Sequence, residues 1–239
     1  MTRAVRFAAI ASLVFLSVST FAASCPLSGS PLPCYMNFYG AKDMQLASSF
    51  YNGGGIPTTP NYGVTFSSNV IVLLPFSAGG SGQFAPTLTD PLNGVAYPIY
   101  GALFMNGSSP TQMGVMSVSQ GFTTGINFFY TALFSSSQTE TVTIWSGANG
   151  TGTVLAMLTL AGNDGSCSLP EYCNWSYADI NFNGTAKSVT FSGPTDQFGF
   201  TDVTLNQSTT AIPEPSTLAL LGSGLIGVGY RRFRQILGK

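Results

Sequence analysis

The feature that most constrains the fold of this chain is a succession of short runs of β-branched and aromatic residues through its centre. Between residues 37 and 205 these runs alternate with Gly, Asn, Pro and Ser, and no stretch sustains the apolar repeat of a helix. Such runs are typical of β-strands separated by turns. We therefore predict an all-β fold. The predicted strands are 62–66, 70–75, 102–105, 114–119, 126–134, 140–146, 154–160, 175–182, 187–192 and 198–205.

This many short strands in one segment favours a two-sheet sandwich of the jelly-roll type, with a barrel as the second architecture. In a sandwich each sheet buries one face, and its strands are joined by turns. The Asn149-Gly150 and Asn183-Gly184 pairs predict such turns, because both residue types accept a positive φ.

Composition excludes several classes of protein. The chain has no histidine, which rules out a Ser-His-Asp or Cys-His nucleophile pair and a His-ligated zinc site. Between residues 25 and 205 it carries two basic residues, Lys42 and Lys187, against eight acidic ones. Nucleic-acid binding needs lysines and arginines to displace counterions from phosphates, so no nucleic-acid partner is expected.

The N-terminal segment has the layout of a secretory signal peptide. Arg3 and Arg6 precede an apolar run over residues 7–18, and small residues follow it. We expect residues 1–23 to form this signal helix and to be removed on export. An uncleaved anchor is one alternative, which the shortness of the run disfavours. A lipoprotein signal ending at Cys25 is another.

The cysteines form an even set in a chain that the signal sends to an oxidising compartment, which predicts disulfides. They are Cys25, Cys34, Cys167 and Cys173. Three pairings are open, and proximity in sequence favours Cys25 with Cys34 and Cys167 with Cys173. A metal site is the rival interpretation, but it lacks the usual Cys-x-x-Cys spacing.

The C-terminal segment combines three elements in order. Pro213, Glu214 and Pro215 precede an apolar stretch over 216–230, and arginines follow it. As a helix this stretch would be about 22 Å long, short for a hydrocarbon core of about 30 Å. We predict a short transmembrane helix, which the basic residues orient with the body outside the cytoplasm. These stop-transfer residues are Arg231, Arg232 and Arg234.

These three elements closely resemble the PEP-CTERM sorting signal of exported bacterial proteins. That signal consists of Pro-Glu-Pro, a short Gly- and Leu-rich transmembrane helix and a terminal arginine cluster, and it is also labelled ice-binding-protein C-terminal domain. The resemblance implies an exosortase as partner, a membrane enzyme that processes the tail at Pro-Glu-Pro. It also implies transient anchoring in the inner membrane through the C-terminal helix, followed by transfer to the cell surface or the extracellular space.

A looser resemblance links the body to galactose-binding-like or lectin-like sandwich ectodomains. It is carried by residues 50–54, 61–66, 121–125 and 199–205, and it implies a β-sandwich without a defined activity. The resulting division of the chain is a signal peptide over 1–23, a sandwich over 24–205, a linker over 206–212 and the sorting signal over 213–239.

Three aromatic residues are candidates for stacking on sugar rings, namely Trp145, Trp175 and Tyr177. Because Val142 and Ile144 alternate with polar residues, they should face the core and leave Trp145 on the opposite side of its strand. Core packing is the alternative role for each of the three aromatic residues.

Asp202 is the candidate for a structural calcium ion, which binds carboxylate and carbonyl oxygens and needs no histidine. It shares strand parity with Phe198 and Phe200, so a regular strand would turn its carboxylate toward the core. Backbone hydrogen bonds, or a bulge that turns the side chain to solvent, would remove the need for a cation. No other cofactor is expected.

No catalytic pattern is present in the sequence, neither a Gly-x-Ser-x-Gly elbow nor a P-loop nor His-Glu-x-x-His. We therefore expect an exported, non-catalytic envelope or extracellular-matrix protein whose sandwich has a structural role or binds polysaccharide. The alternative is a secreted polysaccharide-processing enzyme, a glycoside hydrolase or a lyase, since the eight acidic residues of the body could include a catalytic pair.

The two terminal signals predict that the mature protein lacks both ends. Because residues 1–23 and the tail over 213–239 carry addressing information and contribute little to the core, their loss should leave the sandwich intact. The intact mass of protein released from its native cells measures this directly. Released protein that still carries residues 231–239 would contradict the sorting interpretation.

Overall fold

The computed structural model describes residues 34–91, 94–133, 139–164, 167–168 and 170–205. The predicted signal peptide, linker and sorting signal lie outside these residues. Within the described ranges no helix is long and apolar enough to cross a membrane. The strands there are β1 (Cys34–Met36), β2 (Gln45–Leu46), β3 (Val64–Phe66), β4 (Val70–Leu73), β5 (Thr87–Thr89), β6 (Ala96–Pro98), β7 (Ala102–Met105), β8 (Thr111–Ala132), β9 (Glu140–Trp145), β10 (Val154–Leu160), β11 (Ser176–Pro194) and β12 (Phe198–Leu205), with helical turns at Phe50–Gly54 and Phe76–Ala78.

The two longest strands, β8 and β11, run side by side through both layers of a β-sandwich. They pair in antiparallel fashion over nearly their whole length, and the register shifts twice within residues 181–188 of β11. Near this point Gly121 of β8 has a φ of 78°, and a Cβ there would lie 2.8 Å from the Ala186 carbonyl oxygen. Such irregularities bend strands, so each long strand contributes one half to each layer.

Each layer is an extension of this shared pair. In the first layer β10 and β9 continue outward from the C-terminal half of β11, and β3 pairs with the N-terminal half of β8. In the second layer β12, β7, β4 and β2 follow the C-terminal half of β8. Strand β1 pairs with the C-terminal end of β12, in register Cys34↔Leu205. The predicted all-β sandwich is confirmed.

Phenylalanine rings fill the space between the layers. Phe191 of the first layer stacks on Phe200 of β12 with ring centroids 4.0 Å apart, and it meets Phe128 of β8 edge-on at 5.8 Å. Phe198 lies beside the same ring at 6.5 Å. All four side chains are fully buried, so these contacts join the two sheets into one core.

The second layer is covered on its outer face as well. Ile71, Phe104 and Phe129 on that face form a cluster with Phe84 and Tyr172, which come from the connecting segments. Strand β12 is consequently buried at each of its residues. Strands that are apolar on both faces read as continuous hydrophobic runs, as β4 and β7 do here.

The predicted disulfide between Cys167 and Cys173 is confirmed, with 5.7 Å between the two Cα atoms. It closes the loop that precedes β11. Cys34 is also disulfide-bonded. Its predicted partner, Cys25, lies outside the described residues.

The structure corrects several predicted strand boundaries. The strands predicted at 114–119 and 126–134 are both part of β8, and those at 175–182 and 187–192 are both part of β11. The turn predicted at Asn183-Gly184 is therefore wrong. Gly184 does take a positive φ of 97°, but it does so inside an irregular stretch of one continuous strand. The Asn149-Gly150 turn, with φ of 56° and 69°, is confirmed.

The phenylalanine stack predicts a large effect of truncation at its centre. Phe191→Ala should lower the free energy of unfolding by about 3 to 5 kcal/mol, because the cavity would lie between two sheets that cannot close around it. Denaturant unfolding of the full-length protein in detergent measures the change. Met157→Ala is the control, since that side chain is 65% exposed and should change the value by less than about 0.5 kcal/mol. Equal effects of the two variants would contradict the role of the stack.

Candidate functional site

The main candidate site is a cleft of about 510 Å³ that is rich in tyrosine. Three chain segments build it: β1 with the residues that follow it, the Phe50–Gly54 turn with the loop after it, and the segment before β7. None of the aromatic residues predicted from sequence lines it. The lining residues are Tyr35, Asn37, Tyr39, Tyr51, Thr58, Thr59, Pro60, Tyr62 and Tyr100.

Alternation along the first segment places side chains in the cleft. Met36 and Phe38 are fully buried in the core, whereas Tyr35 and Tyr39 are 46% and 58% exposed and Asn37 is partly exposed. Within β1 neighbouring side chains point to opposite sides, and beyond β1 a positive φ of 60° at Phe38 accompanies the burial of that ring. The two buried residues therefore fix the segment to the sandwich, and the three others face the cleft.

Four of the five cleft tyrosines form two ring pairs. The rings of Tyr51 and Tyr62 are stacked, with centroids 5.7 Å apart and an angle of 13° between their planes. Tyr39 and Tyr100 meet edge to face at 5.0 Å. Both geometries are favourable arrangements of aromatic rings, so these contacts stabilise the orientations of the rings in the cleft.

Hydrogen bonds to the backbone hold the hydroxyls of two cleft tyrosines, Tyr51 and Tyr62. The Phe38 backbone N–H donates to the Tyr51 hydroxyl at 2.9 Å, and the Tyr62 hydroxyl bonds the backbone of Tyr35. Burial raises the pKa of Tyr51 and of Tyr62, so both stay protonated. The buried hydroxyl oxygen of Thr59 has no hydrogen-bond partner within the described residues.

Asp202 lies behind the cleft, in a bulge of β12. Its φ is 51°, and the register with β8 shifts between Thr201 and Thr204. The side chain is only 7% exposed, and one carboxylate oxygen, Oδ1, accepts a hydrogen bond from the Tyr35 hydroxyl. Burial raises the pKa of Asp202 to about 6, although hydrogen bonds from Tyr35 and Thr201 lower it. The carboxylate is thus largely ionised at pH 7, and it contacts the hydroxyl end of the half-exposed Tyr35 ring.

The bulge at Asp202 keeps its carboxylate buried, and a tyrosine hydroxyl is its partner. The one group of three converging potential metal ligands in the described ranges lies elsewhere, at Asp164, Cys167 and Cys173. Its two cysteines are joined in a disulfide, so they are not available as thiolate ligands. Calcium binding at Asp202 stays a prediction.

The structure does not bring Trp145, Trp175 and Tyr177 into the cleft. Trp145 is half-buried on the outer side of β9 and donates its Nε1–H to Thr190 Oγ1 at 3.0 Å. Trp175 donates to the Ala85 carbonyl at 3.1 Å. Both Trp175 and Tyr177 pack against the cluster on the outer face of the second layer. Sugar contact by these three residues stays a prediction.

The cleft residues were accessible to sequence reasoning only in part. The predicted strands start at residue 62 and therefore miss β1 with Tyr35, and Tyr39 after it. The alternation of apolar Met36 and Phe38 with Tyr35, Asn37 and Tyr39 is a signal that could have found them. Nothing local, by contrast, indicates that Tyr100 joins them from a distant segment.

A further buried carboxylate belongs to Glu140, at the start of β9. Its side chain lies against Gly193 of β11, where a Cβ would come within 1.7 Å of Glu140 Oε2. Neither carboxylate oxygen has a hydrogen-bond partner within the described part of the chain. Burial raises the pKa of Glu140 to about 9, so the folded protein holds this side chain protonated and uncharged at neutral pH.

Comparison with protein families concerns the tail. Residues 211–235 match the family model of the PEP-CTERM protein-sorting motif, which confirms the resemblance seen in the sequence. The motif marks an exported protein that is sorted by an exosortase through a membrane-anchored intermediate. The match does not extend into the sandwich. No curated protein matches the chain.

Solved structures similar to this chain include a carbohydrate-binding module of a Cellvibrio mixtus lichenase in complex with cellotriose. It has 12% identity and a TM-score of 0.31, covering 54% of this chain and 88% of the module. A family 22 carbohydrate-binding module of Clostridium thermocellum has 13% identity and a TM-score of 0.37, covering 75% and 96%. The K2 adhesin domain of Lys-gingipain has 14% identity and a TM-score of 0.40, covering 74% and 100%. At these values the similarities assign no ligand to this chain.

The burial of the Glu140 carboxyl group predicts how the stability of the protein depends on pH. Its pKa of about 9 in the folded state lies far above the ordinary value of 4.5. Between these values the folded protein binds a proton that the unfolded chain has lost, so stability should fall as pH rises. From pH 4.5 to pH 7 the loss from this group should be roughly 3 kcal/mol.

Denaturant unfolding across this pH range, compared between the wild type and Glu140→Gln, isolates the contribution of Glu140. In the variant, the free energy of unfolding should lack this part of its decrease with pH, because an amide does not titrate. If the free energy of unfolding of the two proteins changed with pH in the same way, Glu140 would not be buried as described.

Proposed function

We propose that the body is a non-catalytic carbohydrate-binding module and that the tyrosine cleft binds an extracellular polysaccharide. One observation supports this above the others. Five tyrosines from three chain segments converge with amide and hydroxyl side chains on one open cleft, and three of them, Tyr35, Tyr39 and Tyr100, are more than 40% exposed.

The chemistry of the lining matches that of a sugar. The C–H faces of a pyranose ring are apolar and stack on aromatic rings, while its hydroxyls need donors and acceptors at the edge. The cleft supplies rings together with Asn37, Thr58 and Thr59. Its volume lies in the usual range of ligand pockets, about 300 to 1,000 Å³. Rings that already contact one another in the free protein lose less conformational freedom on binding than isolated rings would, which favours affinity.

The cleft favours binding over hydrolysis. Glycoside hydrolysis requires two carboxyl groups about 5 to 10 Å apart on either side of the bond to be cleaved. Within the described residues, no side chain that lines the cleft is acidic. The nearby Asp202 is buried and engaged by Tyr35. A polysaccharide-processing enzyme is therefore the less supported alternative.

Export and sorting agree with this role. An exosortase-sorted protein reaches the cell surface or the extracellular space, where polysaccharides are abundant in the bacteria that the PEP-CTERM resemblance implies. Only 7% of the residues of the chain are charged, so recognition by the sandwich depends on stacking and neutral hydrogen bonds. These are the interactions that an uncharged glycan offers.

Removal of one exposed ring tests the proposal. Tyr39→Ala should raise the Kd for a bound glycan about tenfold, because a stacked aromatic ring contributes on the order of 1.4 kcal/mol. Folding should be nearly unaffected, since the ring is more than half exposed. Full-length protein in detergent is first screened on a glycan array, and the Kd is then measured by calorimetry.

Two variants serve as comparisons. Tyr97→Ala removes a tyrosine that is 42% exposed but does not line the cleft, and it should keep wild-type affinity. Trp145→Ala examines the surface predicted from sequence alone. Loss of affinity in Trp145→Ala with no change in Tyr39→Ala would move the site to β9, and a wild type that binds no glycan would exclude the proposed function.

A further inference from the structure

The residues behind the cleft bear on which polysaccharides it accepts. Given the function proposed above, on which this inference rests, we propose that Asp202 and Tyr35 make the cleft select glycan segments that present hydroxyl or amino groups and reject segments that present carboxylates. Asp202 is then a specificity-determining residue, and uronic acids are the class of sugar that it excludes.

The first reason is the direction of one hydrogen bond. The Tyr35 hydroxyl donates its proton to Asp202 Oδ1. A phenol has a single proton, so the Tyr35 oxygen retains only lone pairs with which to meet a ligand. A sugar hydroxyl or an ammonium group donates to such an oxygen. A carboxylate has no proton to donate and is repelled by it.

The second reason is charge. Asp202 is buried at the hydroxyl end of the Tyr35 ring, and no lysine or arginine is among the described residues that line the cleft. The part of the chain that the structure describes contains two basic residues, Lys42 and Lys187. A ligand carboxylate would therefore meet a negative charge without compensation. At a dielectric constant between those of water and of the protein interior, this repulsion should raise the Kd of a carboxylated ligand about fivefold.

The conservative variant removes the charge and keeps the geometry. In Asp202→Asn the amide oxygen can still accept the Tyr35 proton, and asparagine tolerates the φ of 51° found at this position. Asp179→Asn is the matched control. It makes the same change of charge at an exposed residue of β11 that does not line the cleft.

The experiment compares three hexasaccharides with one backbone: β-1,4-linked glucose, the same chain oxidised at C6 to the uronic acid, and its 2-amino form. Binding to the full-length protein in detergent is measured by calorimetry at pH 7. The wild type should bind the glucose and amino forms at least fivefold more tightly than the carboxylated form. Asp202→Asn should reduce the ratio of the Kd values for the carboxylated and glucose forms about fivefold, whereas Asp179→Asn should keep the wild-type ratio.

The outcomes separate the two proposals. If the wild type binds none of the three forms and nothing on a glycan array, the proposed function is overturned, and so is the selectivity that depends on it. Equal affinity for the glucose and carboxylated forms overturns the selectivity alone. An unchanged gap in Asp202→Asn, with a melting temperature that shows the variant to be folded, overturns the assignment to Asp202.

Discussion

The rest of the structure depends on the antiparallel pairing of β8 with β11. These two strands belong to both layers of the sandwich, so their hydrogen bonds connect the sheets directly as well as through the core. The bend that allows this needs a backbone without a side chain at Gly121, next to the Ala186 carbonyl. Once the pair is bent, Phe191 faces Phe128 and Phe200 across the interior. The remaining strands add to a frame that already defines two layers.

Much of the fold could be predicted from the sequence, because strand formation in a sandwich leaves a local pattern. The predicted bounds 102–105, 154–160 and 198–205 agree with β7, β10 and β12. The long strands could not be predicted, because a bulge within a strand and a turn between two strands favour the same residue types. Asn183-Gly184 favours positive φ in either case, and only pairing with β8 on both sides decides that the strand continues.

The candidate site could be predicted less well than the fold. A cleft is a relation between segments, and Tyr35, Tyr62 and Tyr100 converge only because β1 and β7 both lie beside β12. The sequence does mark Asp202 as a polar residue among buried neighbours. Its partner Tyr35 lies 167 positions away along the chain, and no local pattern connects the two. A tryptophan can be chosen as a candidate for sugar stacking from the sequence alone, whereas tyrosines dispersed along the chain can be recognised as one site only in the folded structure.

The register of β1 against β12 has a mechanical consequence. Cys34 pairs with Leu205, so the strand that carries Tyr35 lies directly beside the last described residue of β12, which precedes the sorting motif in the sequence. A force applied between the cleft and the C-terminal end of β12 would load the short ladder between β1 and β12. The shortest load path bypasses the phenylalanine stack between the layers. Under tension the hydrogen bonds between β1 and β12 would bear the strain before the contacts between the two layers do.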